Sequence, residues 1–307
     1  MKISEILSTS HKAFPSLEIV PPAQGITTAQ LVDSLRPLIE FGPKYINVTS
    51  HREEYEFVPC ADGSFTRRVC RPRMSQRDVC RAVGEAFGIE VVPHIICAGA
   101  SVEGIHSDLD AFREMGIGNV VALRGDCTLG ERRFTPAPGG YAYASQLVEG
   151  IRSYRKEEGQ VYCIGVAGYP EKHFEAPNIE TDIANLKKKV DAGADFVITQ
   201  MFFDNGRYFD FVDRCRRQGI TVPIIPGLKP LSSLRQLTLL PETFSIDIPL
   251  ELSEAVRGAS DAGQVYRIGT QWCIDQCRGL LEGGAPAVHF FTMGRPENVA
   301  QVIRECF

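Results

Sequence analysis

Glu18 sits in the middle of the apolar run Leu17-Glu18-Ile19-Val20, which stops at Pro21-Pro22. A carboxylate in that position either faces water from an edge strand or serves as a proton donor inside a pocket. Burying it unpaired costs several kcal/mol or pushes its pKa upward. Other polar groups recur at the ends of similar runs. Thr49 is near the end of YINVTS, His94 interrupts VVPHIIC, and Arg124-Gly125-Asp126 close NVVALRGD. Tyr169 closes YCIGVAGY and is followed by Glu171 and His173; Gln200 lies in FVITQMFF, and Arg295 follows AVHFFTM. One polar residue in such a run is ordinary. Many converging on one face require a ligand, or they leave buried groups unpaired.

Something must carry these groups to one place. Eight short β-branched runs read as strands: 17–20, 45–50, 91–97, 119–126, 162–169, 196–203, 222–228 and 287–293. Between them lie segments with helical apolar spacing, a cap or turn residue at the start and Gly at the end, such as TTAQLVDSLRPLIEFG and IETDIANLKKKVDAG. Strand, helix and Gly repeated in this way predict a parallel sheet with crossover helices, and eight units in this length predict a closed (β/α)8 TIM barrel. No G-x-G-x-x-G follows the first strand, as an open dinucleotide-binding sheet would show. Extra helices are expected over 250–283, before the last strand. The whole chain, 1–307, reads as one catalytic barrel. In such a barrel the strand C-termini form the active face.

Two long connections, 51–74 and 127–142, follow strand C-termini. Loops of this length serve as lids, binding loops or mobile segments. The first is basic, with Arg67, Arg68, Arg71, Arg73 and Arg77 close together. It reads as a solvated lid, a subunit interface, or a contact for a polyanionic tail.

With 307 residues, 44% of them hydrophobic, the chain has enough apolar material for a large core. A net charge of −5 gives no overall basic surface for nucleic acid. The first residues, MKISEILSTSHKAF, read as a short amphipathic helix without the apolar core of a signal peptide, and no run approaches the ~18 apolar residues of a membrane span. The expected compartment is the cytoplasm. Ten cysteines form no C-x-x-C pair, so they read as free buried thiols, and no metal site is expected.

The motifs L-E-I-V-P-P, P-H-I-I-C, V-A-L-R-G-D, Y-A-S-Q-L-V, Y-P-E-K-H-F-E-A, L-K-K-K-V-D-A-G-A-D-F-V-I-T-Q-M-F-F-D and I-I-P-G-L-K-P-L occur in this order. Together they resemble methylenetetrahydrofolate reductase over nearly the whole chain, most specifically over 181–204, in the short single-barrel form. The resemblance implies an enzyme of one-carbon metabolism that binds FAD at the strand C-termini, is reduced by NADH or NADPH, and converts 5,10-methylenetetrahydrofolate to 5-methyltetrahydrofolate in ping-pong fashion. It also implies assembly into homo-oligomers.

Under this resemblance Glu18 is the general acid, with a raised pKa attributed to apolar neighbours such as Leu17 and Ile19 and to closure by substrate. Asp126 stands beside flavin and pterin, stabilising a cationic intermediate. Gln200 contacts folate and then nicotinamide. Leu234 and Arg295 fall in the substrate region. Thr49, His94, Arg124, Gly125, Asp126, Tyr143, Ala144, Tyr169, His173, Asp182 and Lys189 match positions that hold FAD, with Arg124 and Lys189 on the pyrophosphate and Asp182 on ribose hydroxyls. Two departures stand out: Leu234 replaces a phenylalanine of some members, and Phe291 replaces a tyrosine. Choice between NADH and NADPH has no visible motif. Two other functions fit parts of this pattern, another flavin-barrel dehydrogenase and a non-catalytic folate- or flavin-binding paralogue. Glu18, Asp126 and Gln200 together favour catalysis, because binding alone needs no proton donor.

Overall fold

The computed structural model describes residues 1–50, 54–60, 62, 64–70, 72–126, 134–159, 161–293 and 296–307. Helix α1 (Ile3–Thr9) precedes strand β1 (Pro15–Ile19), followed by α2 (Thr28–Ile39) and β2 (Tyr45–Val48). A hairpin of β3 (Glu54–Pro59) and β4 (Phe65–Cys70) comes next. The chain continues through α3 (Gln76–Phe87), β5 (Glu90–Ile96), α4 (Val102–Glu114) and β6 (Asn119–Leu123). Then come α5 (Ala144–Ser153), β7 (Cys163–Gly168), α6 (Ile179–Asp191), β8 (Phe196–Met201), α7 (Asn205–Arg217) and β9 (Ile224–Leu228). Three helices, α8 (Gln236–Phe244), α9 (Leu250–Arg257) and α10 (Ala262–Glu282), lead to β10 (Val288–Phe291) and α11 (Pro296–Cys306).

The strands close into a parallel barrel in the order β1-β10-β9-β8-β7-β6-β5-β2. All eight strands expected from the β-branched runs are present. Several helices start where short polar side chains satisfy otherwise orphaned amides. Thr27 accepts from Gln30 N at 3.2 Å, Asn178 from Thr181 N at 2.8 Å, and Asp261 from Gln264 N at 2.8 Å.

Strand alternation sorts the core into two layers. Outward residues such as Leu17, Ile19, Ile46, Val48 and Val197 pack under the helices. Inward residues Tyr45, Val92, Val121, Cys163, Phe196 and Ile225 fill the barrel together with Ile3 and Ile6 of α1. Asn119, the first residue of β6, anchors α1 by accepting from Ile3 N at 2.8 Å and donating to Met1 O at 2.9 Å. That plug closes the N-terminal end of the barrel with apolar side chains and leaves the C-terminal end for polar ones.

Two expectations change. The 51–74 connection contains an antiparallel hairpin, with Glu54 opposite Cys70 and Pro59 opposite Phe65. Its signal was Asp62-Gly63 between two β-rich stretches, a turn pair suited to hairpins. The helical excursion before the last strand also starts earlier than 250, with α8 at Gln236. Among the described residues no helix is long and apolar enough to cross a membrane, and Cys60, Cys80, Cys97, Cys163, Cys215, Cys273, Cys277 and Cys306 are free thiols.

Candidate active site

Glu18 occupies the inward face near the end of β1, with its side chain about 15% exposed. Its carboxylate Oε2 lies 3.5 Å from His94 Nε2 of β5 and 3.6 Å from His289 Nε2 of β10. Parallel pairing produces this meeting: Glu18 is in register with Phe291 on β10 and with Asn47 on β2. Ser16, two residues earlier on the same face, shares a 2.9 Å hydrogen bond with His289 Nδ1. Asn47, His94, Ser16 and His289 are all buried. The polar sector therefore spans four neighbouring strands, β10, β1, β2 and β5.

Leu17 and Ile19 do not desolvate Glu18 as the sequence suggested. Adjacent strand residues point to opposite faces, and both leucine and isoleucine belong to the outer layer. The groups around the carboxylate come instead from neighbouring strands. Phe291 is one of them, its ring edge-on to His289 at 5.1 Å. Gly227 of β9 makes room for it, because a Cβ there would come within 2.6 Å of the Phe291 ring and 2.3 Å of Thr199 O.

A second wall lies across the mouth, on β6, β7 and α6. Arg124 Nη1 pairs with Glu175 Oε2 at 2.6 Å, and its guanidinium lies 5.1 Å from the Phe134 ring. His173 N donates to Asp182 Oδ2 at 3.1 Å. The Tyr169 and His173 rings meet edge-on at 4.8 Å, and Lys189 Nζ lies 5.8 Å from the Tyr169 ring centre while donating to Ala167 O. Burial pushes the Lys189 ammonium down to about 8, against the opposing pull of Asp182. Burial raises Asp182 and lowers His173, in the latter case with help from the Arg124 charge. Glu175 is held below the usual carboxylate range by its hydrogen bond with Arg124.

Five expected residues, Arg124, Tyr169, His173, Asp182 and Lys189, thus form one connected group, and Glu18 and His94 another. Gly125 and Asp126 form the turn after β6. Gly125 has φ +81°, and an added Cβ would sit 2.8 Å from Ala98 Cβ, so both backbone and space demand glycine there. Asp126 is exposed and lies near enough to Tyr169 to act on it electrostatically. Thr49 is buried at the end of β2, its N–H donating to Ile19 O at 3.0 Å. Gln200 faces inward on β8, its Oε1 accepting from Met201 N at 2.9 Å. Tyr143 and Ala144 stand at the N-terminus of α5, where Gln146 Oε1 accepts from Tyr143 N at 3.2 Å; the Tyr143 side chain is exposed. Leu234 is exposed before α8. Arg295 lies outside the described residues.

The methylenetetrahydrofolate reductase family model matches residues 2–306. The chain belongs to that family. It is 32% identical to methylenetetrahydrofolate reductase (NADH) 1 of Arabidopsis thaliana over 95% of this chain and 48% of the plant protein. It is also 32% identical to 5,10-methylenetetrahydrofolate reductase of Pectobacterium carotovorum, over 92% of this chain and 86% of the bacterial protein. The chain spans about half the length of the plant, nematode and yeast relatives it matches, at 48%, 43% and 47%. Among solved structures, a Clostridium thermocellum protein described as binding two copies of 5-methyl-5,6,7,8-tetrahydrofolic acid superposes with a TM-score of 0.64. It does so at 13% identity, over 99% of this chain and 97% of that one, a likeness of fold.

Within a methylenetetrahydrofolate reductase barrel, sequence reasoning passes over Ser16, Asn47, Glu175 and His289. A signal existed for His289: it interrupts Ala287–Phe291 as His94 interrupts its own apolar strand. Only the pairing of β1 with β10 brings it to Glu18.

Proposed function

We propose that this barrel is an FAD-dependent methylenetetrahydrofolate reductase, taking hydride from NADH or NADPH and passing it to 5,10-methylenetetrahydrofolate in a ping-pong cycle in the cytoplasm. The observation that carries the reading is Glu18, a largely buried carboxylate at the C-terminal mouth facing two imidazole nitrogens, in a chain of this family.

The residues of the second wall fit FAD. Lys189 is near enough to both Asp182 and Arg124 to feel their charges, and two cations with one carboxylate suit a diphosphate and the hydroxyls of an adjoining ribose. Binding an anion there would draw Arg124 from Glu175 and raise the depressed pKa of Lys189. Thr49, His94, Gly125, Tyr143 and Ala144 complete the proposed contacts. FAD when bound supplies the hydride store at flavin N5.

The chemistry left to the chain is proton transfer and charge stabilisation. The methylene carbon of the substrate is bonded to two nitrogens and takes no hydride until one C–N bond opens. Glu18 donates its proton to N10, the C–N10 pair leaves with that nitrogen, and an N5-iminium cation forms on the folate. The Asp126 carboxylate stabilises that cation. Gln200, both donor and acceptor, orients the pterin and in the other half-reaction the nicotinamide. The Ser16–His289 pair holds one imidazole edge against Glu18 and fixes where the acid points. Leu234 offers an apolar surface at the mouth, without the stacking an aromatic ring would provide.

The test is anaerobic. The protein is loaded with FAD, bleached with NADH or NADPH, and mixed with methylenetetrahydrofolate. Bleaching followed by folate-driven return of flavin colour is the expected result. Bleaching without return removes folate from the reading, and failure to bind FAD overturns it.

A further inference from the structure

Asn47 lies on the inward face of β2, in register with Glu18 on β1 and Val92 on β5. It is fully buried, and neither Nδ2 nor Oδ1 has a hydrogen-bond partner among the described residues. Buried amides are rarely left this way, because the lost contacts with water are not replaced. An apolar residue would fill a β2 core position at no such cost, so the amide needs a polar partner at this level of the barrel. The titratable groups of this level are Glu18 on β1, in register with Asn47, and the two histidines that face Glu18, His94 on β5 and His289 on β10, with Tyr45 two residues before Asn47 on β2, beside Ser16. Nε2 of His289 is also buried without a hydrogen bond.

We propose that Asn47 is a positioning residue for Glu18, joined to it by an ordered water within the polar sector. Paired strands run about 4.8 Å apart, so side chains that share a face and a register are a water's reach from each other. A buried water is held by two to four polar partners, and the Asn47 amide, the Glu18 carboxyl and a histidine Nε2 provide them. The amide has the chemistry that a proton donor requires of its support. Nδ2 donates toward the carboxylate, and Oδ1 accepts from the carboxylic acid, so Glu18 stays hydrogen-bonded before and after it gives up its proton. Being uncharged, Asn47 does this without favouring either protonation state through a net charge. The two histidines differ in this respect, since each carries a charge when protonated.

The inference rests on Glu18 being the proton donor, and the experiment separates the two claims. Wild type, Asn47→Leu, Asn47→Ser and Asn47→Asp are loaded with FAD. Each half-reaction is followed by stopped flow between about pH 6 and about pH 9. The carbonyl stretch of protonated Glu18 is recorded by infrared difference spectroscopy without folate, and identified by its loss in Glu18→Gln. In Asn47→Leu, folate-driven reoxidation should slow by about tenfold or more while reduction by NAD(P)H changes by less than about twofold, and the Glu18 band should move. Asn47→Ser, which keeps a hydroxyl for the water, should recover most of the rate. Asn47→Asp puts a second carboxylate beside Glu18, so the fall of reoxidation with rising pH should move upward by about one unit. Equal loss of both half-reactions in Asn47→Leu and Asn47→Ser would mean a purely structural role and overturn the proposal. An unmoved Glu18 band with an unmoved pH midpoint would overturn it as well. If wild type is bleached but not reoxidised by methylenetetrahydrofolate, the proposed function fails, and the infrared comparison still decides whether Asn47 supports Glu18.

Discussion

On the β10–β1–β2–β5 side of the mouth, one carboxylate faces two imidazoles at 3.5 and 3.6 Å, and the residue in register with it on β2, Asn47, carries a neutral amide. On the β6–β7–α6 side, charges come in opposed pairs: Arg124 with Glu175 at 2.6 Å, and Lys189 near Asp182. The first arrangement suits a group that must gain and lose a proton, since imidazole and amide neighbours adapt to either state. The second suits a permanent anion, because its cations are held in place and can exchange partners when a ligand enters. Under the proposed function the first side carries the proton chemistry and the second most of the anchoring, with His94 and Thr49 of the first side also meeting FAD, and Gly125 after β6 lies between them.

The largest effect should come from breaking the first side alone. Glu18→Gln keeps size and polarity but removes the proton. Reduction of bound FAD by NAD(P)H should persist, and folate-driven reoxidation should fall by about a thousandfold. Equal rates in the mutant and wild type would remove Glu18 from the mechanism. Comparable losses in both half-reactions would mean that the two walls are not separable.

Breaking the second side should act on binding. Lys189→Met should weaken FAD binding by about ten- to a hundredfold, the usual worth of a hydrogen bond to a charged group, with little change in the rate at saturating FAD. The pH dependence follows from a pKa lowered to about 8 by burial. Below about 8 the ammonium is charged in the free protein, and affinity is flat with respect to this group. Above about 8 a proton must be taken up on binding, so affinity should fall as pH rises. The mutant should lose that dependence. Titration of flavin fluorescence across this range measures both effects, and an identical slope in the mutant would place Lys189 outside the anchoring group.

These two walls were unequally legible in the sequence. The proposed anchoring residues between the end of β7 and α6 cluster within 169–189, so local motifs announce them. The proton sector joins residues from 16 to 289 and exists only when the barrel closes. Ser16 and His289 are 273 positions apart, and a lone histidine in an apolar strand otherwise reads as core. All eight strands were readable because β-branched runs between glycine-terminated helices have one economical arrangement. Helix α8 was not, since it starts from Arg235 with no side-chain cap and contains Pro241. Adjacency in sequence points to Leu17 and Ile19 as the environment of Glu18, but neighbours in a strand lie on opposite faces, and both belong to the outer layer.

A smaller effect is expected where the two sides meet. Gly125→Ala places a Cβ at φ +81° and 2.8 Å from Ala98 Cβ. Strain of this kind costs about 1 kcal/mol or more. Thermal unfolding should shift down by a few degrees at most, and because the turn carries both Arg124 and Asp126, FAD affinity and reoxidation rate should weaken together. A change in only one of them would show that the turn serves a single wall.

The smallest effect tests whether paired charge is the rule throughout the second side. Glu171, in the connection between β7 and α6, accepts from Asp247 N at 2.8 Å, tying that connection to the one between α8 and α9. Burial is the main cause pushing its carboxyl up to about 7, with Asp247 and Asp204 adding to the rise and Arg207 opposing it. The folded pKa lies above the ordinary value of 4.5. Between those two values the folded state binds more protons than the unfolded, so this group's contribution is fully present below about 4.5 and is lost as pH rises through about 7. Glu171→Gln retains an oxygen for Asp247 N and does not ionise. It should therefore stabilise the protein relative to wild type at pH 8 and not at pH 5. Solvent access keeps the difference to about 1 kcal/mol or less. Paired chemical denaturation at the two pH values measures it. The same difference at both would mean that Glu171 is held ionised by Arg207, and that this carboxyl follows the paired pattern of Arg124 and Glu175 after all.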